Sequence, residues 1–486
     1  MAYVNRESKT IISVTSAWDN SVINYGDNVS VVGSKYKDVI YNGDDEKGGN
    51  NVSINGGAKD DYLYNYQGVN VTMLGGSGAD TINNWGGSNA SINAGKGDDS
   101  ISNEVIYTWN KETRQYEVTT ASDNVTINAG KGSDTIYNNR GNSVTISAGD
   151  GNDSIYNSGG DSVTIDGGDG NDTIDNYDGD TVSIDGGAGN DSISNDWGAS
   201  VSISAGSGND SIENRGEYVT INAGAGDDNV NNDGHNVTID GGAGNDSIYS
   251  SGYYASIDAG EGDDTISGSG DTTIRGGKGN DSIYNYGYKV LFNYTTGDGN
   301  DYIEGFGEDS TLRIGDGLGS YSVKRVGDDM IVTVGKGKIT LVGAGTLDCT
   351  YIEGDGYVTK FLTDDGESFV NYSNIRNQIV RGGKGNDEID NGMSDVSINA
   401  GAGNDTIGNW TDGDNVSIQA GAGDDNVGNN GNNVTINGGS GDDTIQNWEG
   451  GDNSLVDGGT GNDYIENYGS NVTINAGAGN DSIRDE

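Results

Sequence analysis

Apolar residues in this chain come in short groups, and the groups recur. Val163-Thr164-Ile165 is followed by a Gly-rich stretch, a lone Ile174, a polar stretch, and then Val182-Ser183-Ile184 and Ile193. A period of two puts Val163 and Ile165 on one face of a strand and the Thr164 hydroxyl on the other. No segment keeps the 3.6-residue apolar period of an amphipathic helix, and Gly, Asn, Asp, Ser and Thr, all poor helix formers, dominate. The pattern predicts two short strands per repeat in an all-β chain.

The polar residues between the strands recur too. The run Asp166-Gly167-Gly168-Asp169-Gly170-Asn171-Asp172-Thr173-Ile174 is repeated along the chain, and the last Asp of its Gly-x-Gly-x-Asp core marks each copy. Complete markers stand at Asp80, Asp99, Asp134, Asp153, Asp172, Asp191, Asp210, Asp228, Asp246, Asp264, Asp281 and Asp301, and again at Asp387, Asp405, Asp425, Asp443, Asp463 and Asp481. All eighteen have Ile or Val two residues later. Asp61 and Asp38 head degraded copies.

Within each block the spacing is 17–20 residues, except for 35 between Asp99 and Asp134. The surplus, residues 104–122, reads as two β-prone runs around a polar turn, a hairpin inserted away from the Gly-rich turn. Two strands and two turns in 18–20 residues predict one coil of a right-handed parallel β-solenoid, with equivalent positions about 4.8 Å apart. The expected organisation is an N-terminal cap over 1–32, coils over 33–301, a β-rich linking module over 302–380 and further coils over 381–486. In the module, residues 320–344 alternate around Gly turns as a β-meander does.

Composition narrows the chemistry. With 76 acidic and 25 basic residues the formal charge is −51, which repels nucleic acid. The single Cys349 excludes a disulfide framework, and its thiol is expected to be buried or incidental. No apolar run reaches the roughly 18 residues of a membrane span. His235, the only imidazole, falls in a polar turn and reads as a solvated turn residue.

Stacking the repeats puts like charges in columns about 4.8 Å apart, a repulsive arrangement unless neutralised. About three aliphatic side chains per coil do not offset roughly 1–2 kcal/mol of backbone entropy per ordered residue. A hard divalent cation supplies what is missing, since calcium takes six to eight oxygens from carboxylates and main-chain carbonyls. Ordinary Asx turns would account for one Gly-Asn-Asp, but not for Asp at a fixed place in eighteen copies. Sixteen divalent ions, one between each pair of successive complete turns in a block, would move the charge from −51 to −19.

The run Gly167-Gly168-Asp169-Gly170-Asn171-Asp172-Thr173-Ile174-Asp175 resembles the haemolysin-type (RTX) calcium-binding nonapeptide, and the likeness covers both blocks. The resemblance implies a parallel β-roll with Ca2+ between successive turns, held by turn carbonyls and by the eighteen marker Asp carboxylates. The second turn of each coil lacks the motif, so one row of ions is expected instead of two. That other edge has its own regularity, Asn four residues after the marker, as at Asn84, Asn103, Asn138, Asn157 and Asn176, which predicts an amide ladder. The segment after Asp301 is similar to the β module associated with haemolysin-type repeats.

Bacterial export to the cell surface or medium, as a non-enzymatic spacer or adhesin-like scaffold, follows as the expected role. Calcium is the expected partner, with a cell-surface polysaccharide or host surface beyond it. Two other classes compete: a carbohydrate-active enzyme or its accessory module, and an ice-binding solenoid with Ser/Thr rows at Thr126, Thr145, Thr164, Ser183 and Ser202. Scarce basic residues and one His weigh against catalysis, and mixing of Ser into the rows weighs against ice. The last residues, Ile483-Arg484-Asp485-Glu486, lie inside a repeat without a C-terminal export signal, which points to another route or to a piece of a longer protein.

Overall fold

A computed structural model describes residues 3–8, 10–15, 21–44, 47–315, 318–347, 349–372 and 377–486; the Cys349 side chain lies outside what is described. The described residues contain no α-helix; a 3-10 turn spans Ala344–Thr346. They form a parallel β-solenoid in two compact units, Met1–Ser267 and Gly268–Glu486.

In the first unit each coil contributes one strand to each of two parallel sheets. Strands of the Thr164–Asp169 type stack in one sheet and those of the Thr173–Tyr177 type in the other. Register is strict: Ile127 pairs with Ile146, Ile146 with Ile165 and Ile165 with Ile184. On the opposite sheet Ile101, Ile136, Ile155 and Ile174 form the matching row. These aliphatics and the Val that opens each coil are at most 2% exposed from Ile40 to Ile266. The core is therefore a narrow double file of Ile and Val between two sheets whose outer faces are hydroxyls, amides and carboxylates. The described strands before residue 33 already follow this plan: Tyr3–Asn5 pairs parallel with Ser21–Asn24, and Ile11–Ser13 with Ser30–Val32.

The insertion is an antiparallel hairpin, Ile106–Asn110 against Gln115–Thr120, and it does not disturb the stack. Ser100–Glu104 pairs in register with Thr135–Asn139 across it.

In the second unit the coils at Thr273–Lys278 and Ser282–Asn285 run into the module. An antiparallel meander, Ser322–Val326, Asp329–Val334 and Gly337–Leu341, joins one sheet by pairing its last strand in parallel with Asn300–Glu304. On the other side the sheet continues from Thr311–Ile314 through Cys349–Gly354 and Tyr357–Leu362 to Gln378–Arg381. Coils resume with Ser368–Asn371 against Glu388–Asn391, and their core runs from Leu362 to Ile465. At Ser454-Leu455-Val456, where the alternation lapses, Ser454 takes the buried position of the usual Val. Its hydroxyl accepts the Val434 N–H at 3.2 Å, while Leu455 stands outside at 45% exposure.

Candidate metal centre

The Gly-rich turn is shaped by glycines that no other residue replaces cheaply. Gly168 and Gly170 have φ of +105° and +142°, and a Cβ on either would strike the carbonyl of Gly149 or Gly151 in the preceding coil. The turns consequently nest directly on one another. The Gly170 N–H donates to the Ala188 carbonyl of the next coil at 2.7 Å, as Gly151 does to Asp169.

This nesting turns the marker aspartates inward, and nearly all are 5% exposed or less. The backbone N–H of each marker donates to Oδ1 of the next: Asp80 to Asp99, Asp99 to Asp134 and Asp134 to Asp153 at 2.7 Å, Asp153 to Asp172 at 2.8 Å. The pattern runs on through Asp191, Asp210, Asp228, Asp246 and Asp264. In the second unit it links Asp281 to Asp301, and Asp387 through Asp405, Asp425, Asp443 and Asp463 to Asp481. All eighteen sequence-predicted carboxylates thus fall in rows with one shared geometry. Asp481 closes the last row in a more open position.

One oxygen of each carboxylate is thereby satisfied; the other is not. Oδ2 is buried with no hydrogen-bond partner at Asp61, Asp80, Asp99, Asp134, Asp153, Asp172, Asp191, Asp210, Asp228 and Asp246, and at Asp405, Asp425, Asp443 and Asp463. A buried carboxylate oxygen without a partner is costly, and native folds rarely keep one. Burial is the main force raising most of these acids above the ordinary carboxylate range. It pushes Asp61, Asp99 and Asp425 up to about 7, and Asp80, Asp134, Asp153, Asp172, Asp191, Asp228 and Asp443 up to about 6. The hydrogen bond from the neighbouring N–H opposes the rise, and nearby acidic groups, mostly in the same row, add to it.

Around Oδ2 the surroundings are oxygen-rich. The point above Gly167 where a Cβ would stand lies 2.6 Å from Asp172 Oδ2 and 2.5 Å from the Gly186 carbonyl oxygen of the next coil. The equivalent point above Gly186 lies 2.7 Å from Asp191 Oδ2 and 2.5 Å from the Ala205 carbonyl. In other coils an Ala, such as Ala94, Ala129, Ala148 or Ala205, holds this position. No group of three or more His, Cys, Asp or Glu side chains that could hold a metal occurs among the described residues, so a cation here must draw most of its ligands from main-chain carbonyls. That donor set, hard anionic and carbonyl oxygens, suits Ca2+ and not a soft metal. The fit rests on the orphaned Oδ2 atoms: the marker carboxylate and the carbonyl five residues before the next marker are the groups that would hold the ion, which supplies the positive charge the row lacks.

Three carboxylates outside the complete copies belong to the rows. Asp61 accepts from Asp38 N–H at 2.7 Å and presents the same orphaned Oδ2. Asp38 starts the row, and its own Oδ2 is satisfied by the Ser34 N–H at 2.5 Å. Glu367 does likewise in the second unit: its N–H donates to Asp387 Oδ1 at 3.0 Å and its Oε2 accepts the Thr363 N–H at 2.8 Å. Its signal in the sequence was positional, twenty residues before Asp387 with Phe369 and Asn371 following at the usual offsets.

Among the described residues the opposite edge carries no buried carboxylate row; its Asp161 and Asp180 are exposed. Asn84, Asn103, Asn138, Asn157 and Asn176 form the expected amide ladder, each Nδ2 donating to the next Oδ1 at 2.7–2.8 Å. The same Nδ2 also caps its own turn, as Asn157 does on the Gly160 carbonyl at 2.8 Å. Here buried polar groups are satisfied without metal. His235 sits on this edge, its Nδ1 accepting the Tyr253 N–H at 3.0 Å.

A solenoid with one uncompensated aspartate row defines a cation-binding repeat protein. The family model for the RTX calcium-binding nonapeptide repeat (4 copies) matches residues 118–144, 143–163, 182–201, 233–252, 256–271, 267–284, 372–407 and 457–484. The matched segments carry RTX calcium-binding nonapeptide repeats, and the markers between them keep the same spacing and geometry. No curated protein matches the chain. No helix among the described residues is long and apolar enough to cross a membrane.

Proposed function

We propose that this chain is an exported, calcium-dependent scaffold whose coils become rigid when Ca2+ enters the marker row. The observation that carries this reading is the row of buried Oδ2 atoms lacking any partner. Where calcium is scarce, ionised aspartates oppose stacking and keep the chain expanded. Where calcium is millimolar, its binding free energy becomes folding free energy. A repeat that offers the same side chains at every coil builds a surface instead of a single reacting centre, which favours a spacer or adhesin-like role over catalysis. Stacked rings on the outer faces, Tyr137 on Tyr156 at 4.9 Å and Trp410 on Trp448 at 5.7 Å, suit contact with a polysaccharide or host surface.

Circular dichroism at pH 7.5 with chelator and then with millimolar calcium tests the proposal. A β spectrum that appears only with calcium is expected. A fully folded spectrum indifferent to chelator would end it.

A further inference from the structure

Basic residues are scarce, yet nine of the 25 fall within residues 313–384, and none occurs from 385 to 483. Part of that concentration lines a cleft in the second unit. Two adjoining cavities of about 310 and 340 Å3 share Val323, Phe361 and Arg381. The floor is apolar, with Val323, Phe361 and Ile379 all half-buried. One wall is pinned: the Tyr321 hydroxyl donates to Thr359 Oγ1 at 2.7 Å and its ring lies against Gly354.

The three cations of the cleft are not equivalent. Arg325 Nη1 lies 3.3 Å from Asp364 Oδ1, and Lys384 Nζ pairs with the other oxygen of the same carboxylate. Lys384 first, and Arg325 after it, hold the Asp364 carboxyl below its ordinary range. Arg381 is different. It is exposed at the junction of the two cavities, and its guanidinium has no ion pair or hydrogen bond among the described residues. Among the described lining residues, even counting Asp355 on the rim, three cations face two carboxylates, on a chain of charge −51.

An unpaired guanidinium offers an anion a planar fork that takes a carboxylate or a phosphate through two parallel N–H bonds. The apolar floor beside it favours an anion carried on a ring over a bare inorganic ion. Phe361 and Ile379 offer an apolar surface for a ring face, and Tyr321, Ser322 and Thr359 line the cleft beside them. We propose that this cleft binds an acidic sugar, with Arg381 holding its carboxylate and Phe361 supporting its ring. The inference rests on the cleft alone and not on the aspartate row.

The test is calorimetric or saturation-transfer titration of the full chain in calcium buffer with sodium glucuronate, its methyl ester, and inorganic phosphate. Glucuronate should bind, the ester at least tenfold more weakly. Arg381→Gln should lose at least tenfold in glucuronate affinity with its circular dichroism unchanged, while Lys131→Gln in the first unit should leave binding alone. Absence of glucuronate binding, equal binding of the ester or of phosphate, or unchanged affinity in Arg381→Gln would each overturn the proposal.

Discussion

Replacing Asp172 by asparagine should shift stability in opposite directions with and without calcium. The carboxyl is 1% exposed and pushed up to about 6 from 3.8 by burial. At pH 7.5, two pKa steps at about 1.36 kcal/mol each give a cost of about 3 kcal/mol for holding that charge in the metal-free fold. Residual solvation and main-chain relaxation reduce this to about 1–2 kcal/mol. The substituted amide keeps an Oδ1 for the Asp153 N–H, now 2.8 Å from the carboxylate, so the hydrogen-bonded ladder survives while the charge goes. In chelator the urea midpoint, followed by circular dichroism, should therefore rise. In millimolar calcium the same change removes an anionic ligand, and the midpoint should fall by about 2 kcal/mol equivalent or more. An ordinary Asx turn predicts a small effect of one sign in both media. Equal shifts of the same sign would refute the assignment of Asp172 as a ligand and the claim that its charge burdens the empty fold.

Acid should substitute for calcium. Because the pKa values of Asp99, Asp172, Asp425 and the other markers named above at about 6 or 7 are raised in the fold, the folded chain binds more protons than the unfolded one between about pH 4 and 7. Stability in chelator is thus fully present below about pH 4 and lost as pH rises through 6 to 7, a trend that a pH series of melts in chelator reads directly. Asn157→Ala removes a buried amide that accepts from Asn138 and donates to Asn176; it should cost about 2–3 kcal/mol, equally in calcium and chelator. Gly168→Ala, at φ +105° against the Gly149 carbonyl, should cost about 2 kcal/mol or more by urea melts, whereas Gly167→Ala copies what Ala94 and Ala129 do elsewhere and should cost under about 1 kcal/mol. Because Ala already holds this position before Asp99, Asp134 and Asp210, Gly167→Ala should also leave the number of ions counted by calcium titration unchanged.

The coil was legible in the sequence because period and chemistry agree at every copy. Ile at two after the marker, Asn at four and Gly at fixed turn positions each have one local reason, and stacking repeats that reason. The two edges were legible for the same cause, one acidic and one amide. Less legible was the direction of the carboxylates. The motif does not say that Oδ1 is taken by a neighbouring N–H and only Oδ2 is left over, because that depends on how closely coils nest, and nesting depends on the positive φ of Gly168 and Gly170. Glu367 was hidden because its turn has lost the glycines that define the motif. The cleft at Arg381 was hidden for a different reason: its walls come from strands far apart in the chain and follow no period.

The hairpin after Asn103 shows how little the stack asks of the chain between its rungs. Asp99 reaches Asp134 at 2.7 Å and Asn103 reaches Asn138 at 2.8 Å, the bond lengths found where no segment intervenes. Ser122 seals the exit, its hydroxyl accepting the Gly86 N–H at 2.8 Å and its carbonyl accepting from Asn103 Nδ2 at 3.0 Å. A foreign peptide spliced between Glu104 and Ser122 would accordingly be displayed outward from an unaltered support, making this bend a natural port for new cargo.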